Sequence, residues 1–317
     1  MILKKKYDVV VVGELNVDLI ANGLSKFPEV GKEIIANQFV TTLGSSSAIF
    51  ASNLSAFGTK VTFTGKVGND NYGDFIVAAL KARRVDVNNI VRTGKPDTGV
   101  TIVLNYDEDR AMVTYQGAMA AFNLGDIPDN VLEQARHLHL SSVFLQESLK
   151  KDIVLLFKKA KQLGLTTSLD PQWDPAEKWD IDWEKLLGYV DIFMPNQAEL
   201  NAITNTTTIP AAIDVLKDFS NILVVKNGRE GAILWTDNNL IHQPAFFNNS
   251  VVDSIGAGDS FNAGFIHAFL QGRTLKECME FGALMGAINT TSSGGTMAFE
   301  NMSKVKEIAK SSFDYTF

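Results

Sequence analysis

The residues best placed to do chemistry lie in one stretch, Val251-Val252-Asp253-Ser254-Ile255-Gly256-Ala257-Gly258-Asp259-Ser260-Phe261. Gly256 and Gly258 permit a sharp turn and leave the backbone amides uncovered. Ser260 to Leu270 then reads as a helix, with Phe261, Phe265, Ala268 and Phe269 at helical spacing. The free N–H groups of a helix start, with its dipole, form an anion site. The amides of Gly256, Ala257 and Gly258 are the candidate donors. A bound anion repels a carboxylate at such a place, so a carboxylate there needs a task. Asp259 is a candidate base beside a transferring phosphoryl group. The plainer reading makes Asp259 a helix cap. The flanking Asp253 and Ser254, late in a long chain of α/β pattern, favour the first.

Other polar residues stand where strands end. Tyr7 to Gly13 is β-branched and apolar, the pattern of a central parallel strand. It runs into Glu14-Leu15-Asn16-Val17-Asp18. Ligands of α/β sheets sit beyond the carboxyl ends of strands. Asn16 and Asp18 are either hydroxyl-binding residues there or ordinary turn chemistry. Further strands read as Glu33 to Val40, Val61 to Lys66, Thr98 to Tyr106 and Ala111 to Tyr115, the last two joined by Asp107-Glu108-Asp109-Arg110. Strands at His137 to Ser141, Thr166 to Asp170, Asp191 to Met194 and Ile222 to Lys226 alternate with helices at Asp152 to Leu163, Gln197 to Ile203 and Ala211 to Phe219. Helices also read at Phe75 to Arg84 and Leu275 to Thr291. The alternation predicts a doubly wound α/β fold, a mainly parallel sheet with helices on both faces. Glu33 to Val40 and the 98–115 pair predict a small separate sheet. The later strand ends carry Glu147, Asp170-Pro171-Gln172 and Asn196-Gln197-Ala198-Glu199. Asn196 and Glu199, three apart, share one side of a helix start and either cap it or order a Mg²⁺ ion and its waters. Asp70 reads as a turn or cap residue, with a ligand role as the other option. Glu147 is either a ligand contact or a solvated helix-start residue.

Composition bounds these readings. The 317 residues allow one large α/β domain or two smaller ones. A net charge of −7 disfavours nucleic acid as a general partner. The single cysteine, Cys278, excludes an internal disulfide and reads as a small core residue. His137 and His139 share one strand face and read as satisfied core histidines. The apolar run Val9 to Val12 is too short for a signal-peptide core or membrane span, so the expected home is the cytoplasm, with no membrane partner. The chain has no G-x-x-x-x-G-K-[ST] run and no G-x-G-x-x-G after the first strand, which argues against P-loop and dinucleotide chemistry.

The central stretch closely resembles the C-terminal signature D-T-x-G-A-G-D of the PfkB/ribokinase family of carbohydrate kinases, standing here as Asp253 to Asp259 with Ser254 for Thr. Asn196 to Glu199 resembles that family's N-x-x-E motif. Asn16 and Asp18 resemble its N-x-D substrate residues. Thr42 to Gly58 is similar to its N-terminal signature, with Ser45 for the second glycine and Ile49 for a substrate-facing asparagine. Asp170-Pro171-Gln172 is similar to a D-x-N element, with Gln172 for Asn. The likeness covers Tyr7 to about Thr296. It implies one ribokinase-like domain over 1–317, with lid strands from about 14–43 and 97–117. It implies ATP-dependent, Mg²⁺-requiring transfer to a hydroxyl of a sugar-like small molecule, with Asp259 as base. Asn16, Asp18, Gly44, Ser45 and Glu147 would meet the acceptor. Asn196, Lys226, Gly228 and Gly295 would meet the nucleotide. Asn196 and Glu199 would hold Mg²⁺ through water, a monovalent cation such as K⁺ is a further option, and two lids would join in a homodimer. The departures at Ser45 and Ile49 leave the acceptor open. They also motivate a second reading, a non-catalytic sugar or nucleotide sensor that kept the kinase fold.

Overall fold

A computed structural model describes residues 5–106 and 109–317. Asp107 and Glu108 of the expected hairpin linker lie outside the described residues. The chain opens with β1 (Tyr7–Val12), β2 (Asn16–Asn22), β3 (Gln38–Leu43) and α1 (Ser46–Ala56). It continues through β4 (Val61–Gly68), α2 (Asn71–Ala82), β5 (Asp86–Thr93), β6 (Gly99–Tyr106) and β7 (Asp109–Tyr115). Next come α3 (Asp129–Glu133), β8 (Ala135–Ser141), α4 (Glu147–Lys150), α5 (Ile153–Gln162), β9 (Thr166–Asp170), α6 (Trp183–Leu187) and β10 (Ile192–Phe193). The last third holds α7 (Gln197–Thr204), α8 (Ile209–Leu216), β11 (Ile222–Lys226), β12 (Ala232–Thr236), β13 (Asn239–Gln243), α9 (Ala257–Leu270), α10 (Leu275–Asn289) and α11 (Met302–Phe313).

Among the described residues, nine strands form the main sheet in the order β13-β12-β11-β10-β9-β8-β1-β4-β5. From β11 to β5 every neighbouring pair is parallel, and β12 and β13 add an antiparallel edge. β1 shows why the strands read as unbroken apolar runs. Val9 and Val11 enter one core with Phe50 of α1 and Phe265 of α9, while Val10 and Val12 enter the other with Leu156 and Phe157 of α5. A strand covered on both faces has no polar side. The fold is therefore doubly wound, as the alternation predicted.

His137 and His139 of β8 are fully buried and hydrogen-bonded to Thr166, Ser168 and Ser141, and His139 stacks on Phe50. Burial pushes His137 down to about 3 and His139 well below its ordinary value, so both are neutral core residues. Cys278 is buried in the core of α10. Asp70 caps α2 by accepting from the Gly73 amide at 2.8 Å, and it also accepts from the Thr98 amide at 2.7 Å.

A second sheet has the order β3-β2-β6-β7. Its first strand, β2, falls in the expected lid segment of 14–43, though its residue pattern read as a strand end with a polar turn. Its residues Asn16 to Asn22 instead pair with β3 on one side and β6 on the other. The strand expected over Glu33 to Val40 lies later, at Gln38–Leu43. The ladder runs from the Asn22–Gln38 pair to the Val17–Leu43 pair. Just beyond Asn22 the chain leaves at Gly23 in left-handed backbone, so residues before Gln38 have no partner strand in this sheet. β5, β12, β13 and α11 also went unread. β5 (DVNNIVRT) and β13 (NLIHQ) are partly exposed edge strands with mixed polarity, so neither has a clear period.

Candidate active site

Three strands end at one edge of the main sheet and bring charge together. Asp170 closes β9, Lys226 closes β11, and Asn196 follows β10 as the cap of α7. The α9 N-terminus faces them. Lys226 Nζ lies 2.5 Å from Asp170 Oδ2, and the Asn262 amide also donates to that oxygen at 2.5 Å. Asn262 stands three residues after Asp259, on the same side of α9. The Gln172 amide donates to both Asp170 Oδ2 and Asp259 Oδ1 at 3.2 Å. A Cβ on Gly258 would come 3.7 Å from Lys226 Nζ, so the ammonium lies beside the turn before Asp259.

The helix start is built from a glycine and a buried polar network. α9 begins at Ala257, earlier than the pattern predicted, so Gly256 is its cap and Asp259 sits within the first turn. The cap reading of Asp259 is thereby corrected. Gly256 has φ 76°, and a Cβ there would lie 2.5 Å from Gly295 Cα. Both backbone angle and close packing require glycine. No side chain caps the helix, though the Ala257 amide donates to Ser254 O at 3.3 Å. Asp253 accepts from the Ile255 and Gly294 amides, each at 2.9 Å, which ties the turn to the Gly294-Gly295 loop. Beneath it Asn53 donates to Ser260 Oγ and Gly295 O, and Asn289 donates to Ile255 O. Asn53 is thus a buried strut of the loop and does not take the place of the asparagine lost at Ile49. Ile49 packs on the glycines: a Cβ on Gly295 would lie 2.5 Å from its Cδ1.

Electrostatics set the protonation states. Burial, then the Asp170 carboxylate, push Asp259 up to about 7 against the pull of Lys226. Burial and Asp170 likewise push Glu199 up to about 7. Burial opposes the charge of Lys226, but Asp170 and Glu199 outweigh it and hold its pKa above the ordinary lysine value. Glu14, at the end of β1, is 1% exposed and pushed up to about 7 by burial. It accepts from the Ser47 amide and hydroxyl at the start of α1, and its negative charge is felt at Asp259.

The predicted residues fall into several places. Asn16 and Asp18 stand on one face of β2, with the Asn16 amide donating to Asp18 Oδ1 at 2.8 Å. Burial pushes Asp18 up to about 6. Gly44 closes on both, because a Cβ there would lie 2.2 Å from Asp18 Oδ1. Ser45 caps α1 and donates to Glu14 O at 2.6 Å from backbone at φ 70°, where glycine is preferred. Asn196 and Glu199 form a complete capping box, with the Asn196 amide 2.6 Å from Glu199 Oε1. The capping option is therefore realised, and Glu199 feels Asp170, Lys226 and Asp259 as well. Lys226 is engaged by Asp170. Gly228 (φ 53°) opens the tight turn after β11, and Glu147 is exposed at the start of α4. No hydrogen bond joins either to the cluster among the described residues. Asp170 and Gln172 read only as a likeness to a D-x-N element with no role given, and Asp170, Gln172, Asn262 and Glu14 were not named as site residues. The first and last carried a signal, a carboxylate at a strand end.

These features define a doubly wound, ribokinase-like α/β protein in which an uncapped helix start is set against a buried acid. The chain belongs to the pfkB family of carbohydrate kinases, whose sequence model matches residues 6–302. It is similar to the 2-dehydro-3-deoxygluconokinase of Bacillus subtilis (strain 168), with 28% identity over 301 residues and 91% of each chain covered. It is also similar to the 5-dehydro-2-deoxygluconokinase of Geobacillus thermodenitrificans (strain NG80-2), with 26% identity over 320 residues, 96% of this chain and 93% of the relative. Among solved structures, the ribokinase of Arabidopsis thaliana complexed with ribose and ATP superimposes with a TM-score of 0.82 at 24% identity, covering 96% of this chain and 99% of that one. No described helix is long and apolar enough to cross a membrane.

Proposed function

We propose that the protein is an ATP-dependent kinase that phosphorylates an alcohol group of a sugar-like acceptor, with Asp259 as the base. The observation that carries this reading is the pairing of the uncapped α9 start with Asp259 in its first turn, 6% exposed and titrating near neutral pH. A base with a pKa near the working pH can hold and release a proton. The acceptor hydroxyl gives its proton to Asp259 as its oxygen bonds to the γ-phosphorus and the bond to the leaving ADP oxygen breaks. Phosphoryl transfer rests mostly on positioning and charge stabilisation. Amides of the Gly256-Ala257-Gly258 turn supply the stabilisation, the Ala257 amide by exchanging its long bond to Ser254 O for the phosphate. Asn16, Asp18 and Gly44 are the acceptor side, on the second sheet, which acts as a lid that excludes water. Ser45 holds the turn beside them, and Gly295 backs the nucleotide loop.

The residues fit a divalent cation held through water. Asp170, Asp259 and Glu199 place three carboxyl groups around the Lys226 ammonium, and Glu14 adds its charge at Asp259. Among the described residues no three His, Cys, Asp or Glu side chains gather closely enough to ligate a metal directly. Asn196 and Glu199 would order the waters of Mg²⁺, and the ion would neutralise phosphate charge. The acceptor class follows the relatives: 2-dehydro-3-deoxygluconate and 5-dehydro-2-deoxygluconate come first, and ribose, fructose 6-phosphate and adenosine test the wider family. The cytoplasm, where ATP is plentiful, is the expected compartment. A homodimer through the lids is supported by one face of the second sheet, opposite Asp18. There Phe39, Ile102, Val113 and Tyr115 are 63%, 46%, 68% and 54% exposed.

The test is a coupled ADP assay with Mg-ATP and these five acceptors. Asp259→Asn keeps the size and the amide turn and removes the base. Its kcat toward the best acceptor should fall by roughly 10²–10⁴-fold, the usual worth of general-base catalysis, with ATP binding little changed. A mutant that keeps most of its activity refutes the assignment. Thermal stabilisation by an acceptor with no ADP release from the wild type would instead favour the sensor.

A further inference from the structure

We propose that Gln172 is a positioning residue that aims the Asp259 carboxylate, giving one amide hydrogen to Asp259 and the other to Asp170. This rests on the reading of Asp259 as the base. A side-chain amide nitrogen carries two hydrogens. Gln172 Nε2 stands 3.2 Å from Asp259 Oδ1 and 3.2 Å from Asp170 Oδ2, so each carboxylate can receive one. The opposite amide orientation would set the oxygen against two carboxylates, which the network excludes. Asp170 is a fixed anchor. It is fully buried and held by Lys226, Asn262 and the Gln172 backbone amide. Asp259 is held more lightly, with the Ser46 hydroxyl at the start of α1 as a donor beside Gln172, and the terminal torsion of an aspartate is broad. A donor pinned to Asp170 therefore fixes one oxygen of Asp259 and leaves the other to meet the acceptor hydroxyl.

The local backbone agrees. Gln172 follows Pro171 at the end of β9 and takes left-handed backbone, φ 56°. That conformation is uncommon for an unconstrained glutamine. It is met here where the side chain reaches across to α9. The charged and titratable groups facing Asp259 are Asp170 from β9, Lys226 from β11, Glu14 from the end of β1 and Glu199 from α7. Three of the four are acidic, so loss of a donor is felt strongly.

The test reads the Asp259 carboxyl directly. Protein labelled with ¹³C at aspartate carboxyls is titrated by NMR, and Asp259→Asn identifies the signal. Gln172→Met keeps length and removes both donors. The Asp259 midpoint should rise by about one pK unit, the size of a hydrogen bond to a charged group. The acid limb of kcat/KM toward the best acceptor should move by the same amount, a loss of about tenfold at pH 6 that fades at pH 9. A midpoint within about 0.5 unit of wild type overturns the proposal. If the Met variant does not fold, Gln172→Glu replaces the donor with a further carboxylate. Its Asp259 midpoint should rise more, and an unchanged one is equally fatal. Should Asp259→Asn retain its turnover, the base assignment fails, and the NMR midpoint still decides whether Gln172 holds this carboxylate.

Discussion

Asp259→Asn should make the protein more stable above neutral pH while it removes the activity. Burial and Asp170 push the Asp259 pKa from 3.8 up to about 7. The folded state thus holds this proton more tightly than the unfolded chain. The stability it contributes is full below about pH 4 and is lost as pH rises through about 7. Three pK units at about 1.4 kcal/mol each make ionising Asp259 cost the fold about 4 kcal/mol above pH 7. Asparagine never ionises, so it avoids that cost. It also withdraws one carboxylate from Lys226, which returns part of the gain at any pH where the lysine is charged. The pH dependence is cleaner than the total. Between pH 5.5 and 7 the wild type loses about 1.5 units' worth, or about 2 kcal/mol, that the variant keeps. For a chain of this size that is about 3 °C in Tm. Calorimetry of ligand-free wild type and variant at pH 5.5 and 8.5 measures it. The variant's Tm relative to wild type should be about 3 °C better at pH 8.5 than at 5.5. A difference independent of pH, or one that shrinks at pH 8.5, refutes the electrostatic account of this site.

Two further outcomes follow from the geometry. Gly256→Ala forces a Cβ into backbone at φ 76° and to 2.5 Å from Gly295 Cα. It should cost about 2–4 kcal/mol in urea unfolding and raise KM for ATP at least tenfold, and a loss under about 1 kcal/mol would show that the turn gives way easily. Val113→Glu puts a charge on the apolar face of the second sheet and should convert a lid dimer to monomer in sedimentation at micromolar concentration. Wild type that sediments as monomer rules the dimer out.

The sequence alone determined the doubly wound fold and made the centre of the candidate site legible. Valine runs in β1 and apolar stripes at helical spacing are local patterns, and burial on both faces of a sheet leaves them little freedom. The glycines around Asp259 were equally legible, because left-handed backbone at Gly256 is a local demand. The tertiary structure decided the rest. β2 hides its strand behind the polar Asn16 and Asp18, and it shows as a strand only when β3 and β6 pair with it. Asn196 and Glu199 read as metal or cap residues, and only the folded helix start shows the capping box. Lys226 was expected to meet the nucleotide and is engaged by Asp170, 56 residues away. Gln172 and Asp259 are 87 residues apart in the chain. No local rule links such pairs. They meet because parallel strands deliver their carboxyl ends to one edge of the sheet, where burial then sets the charge that each group can carry.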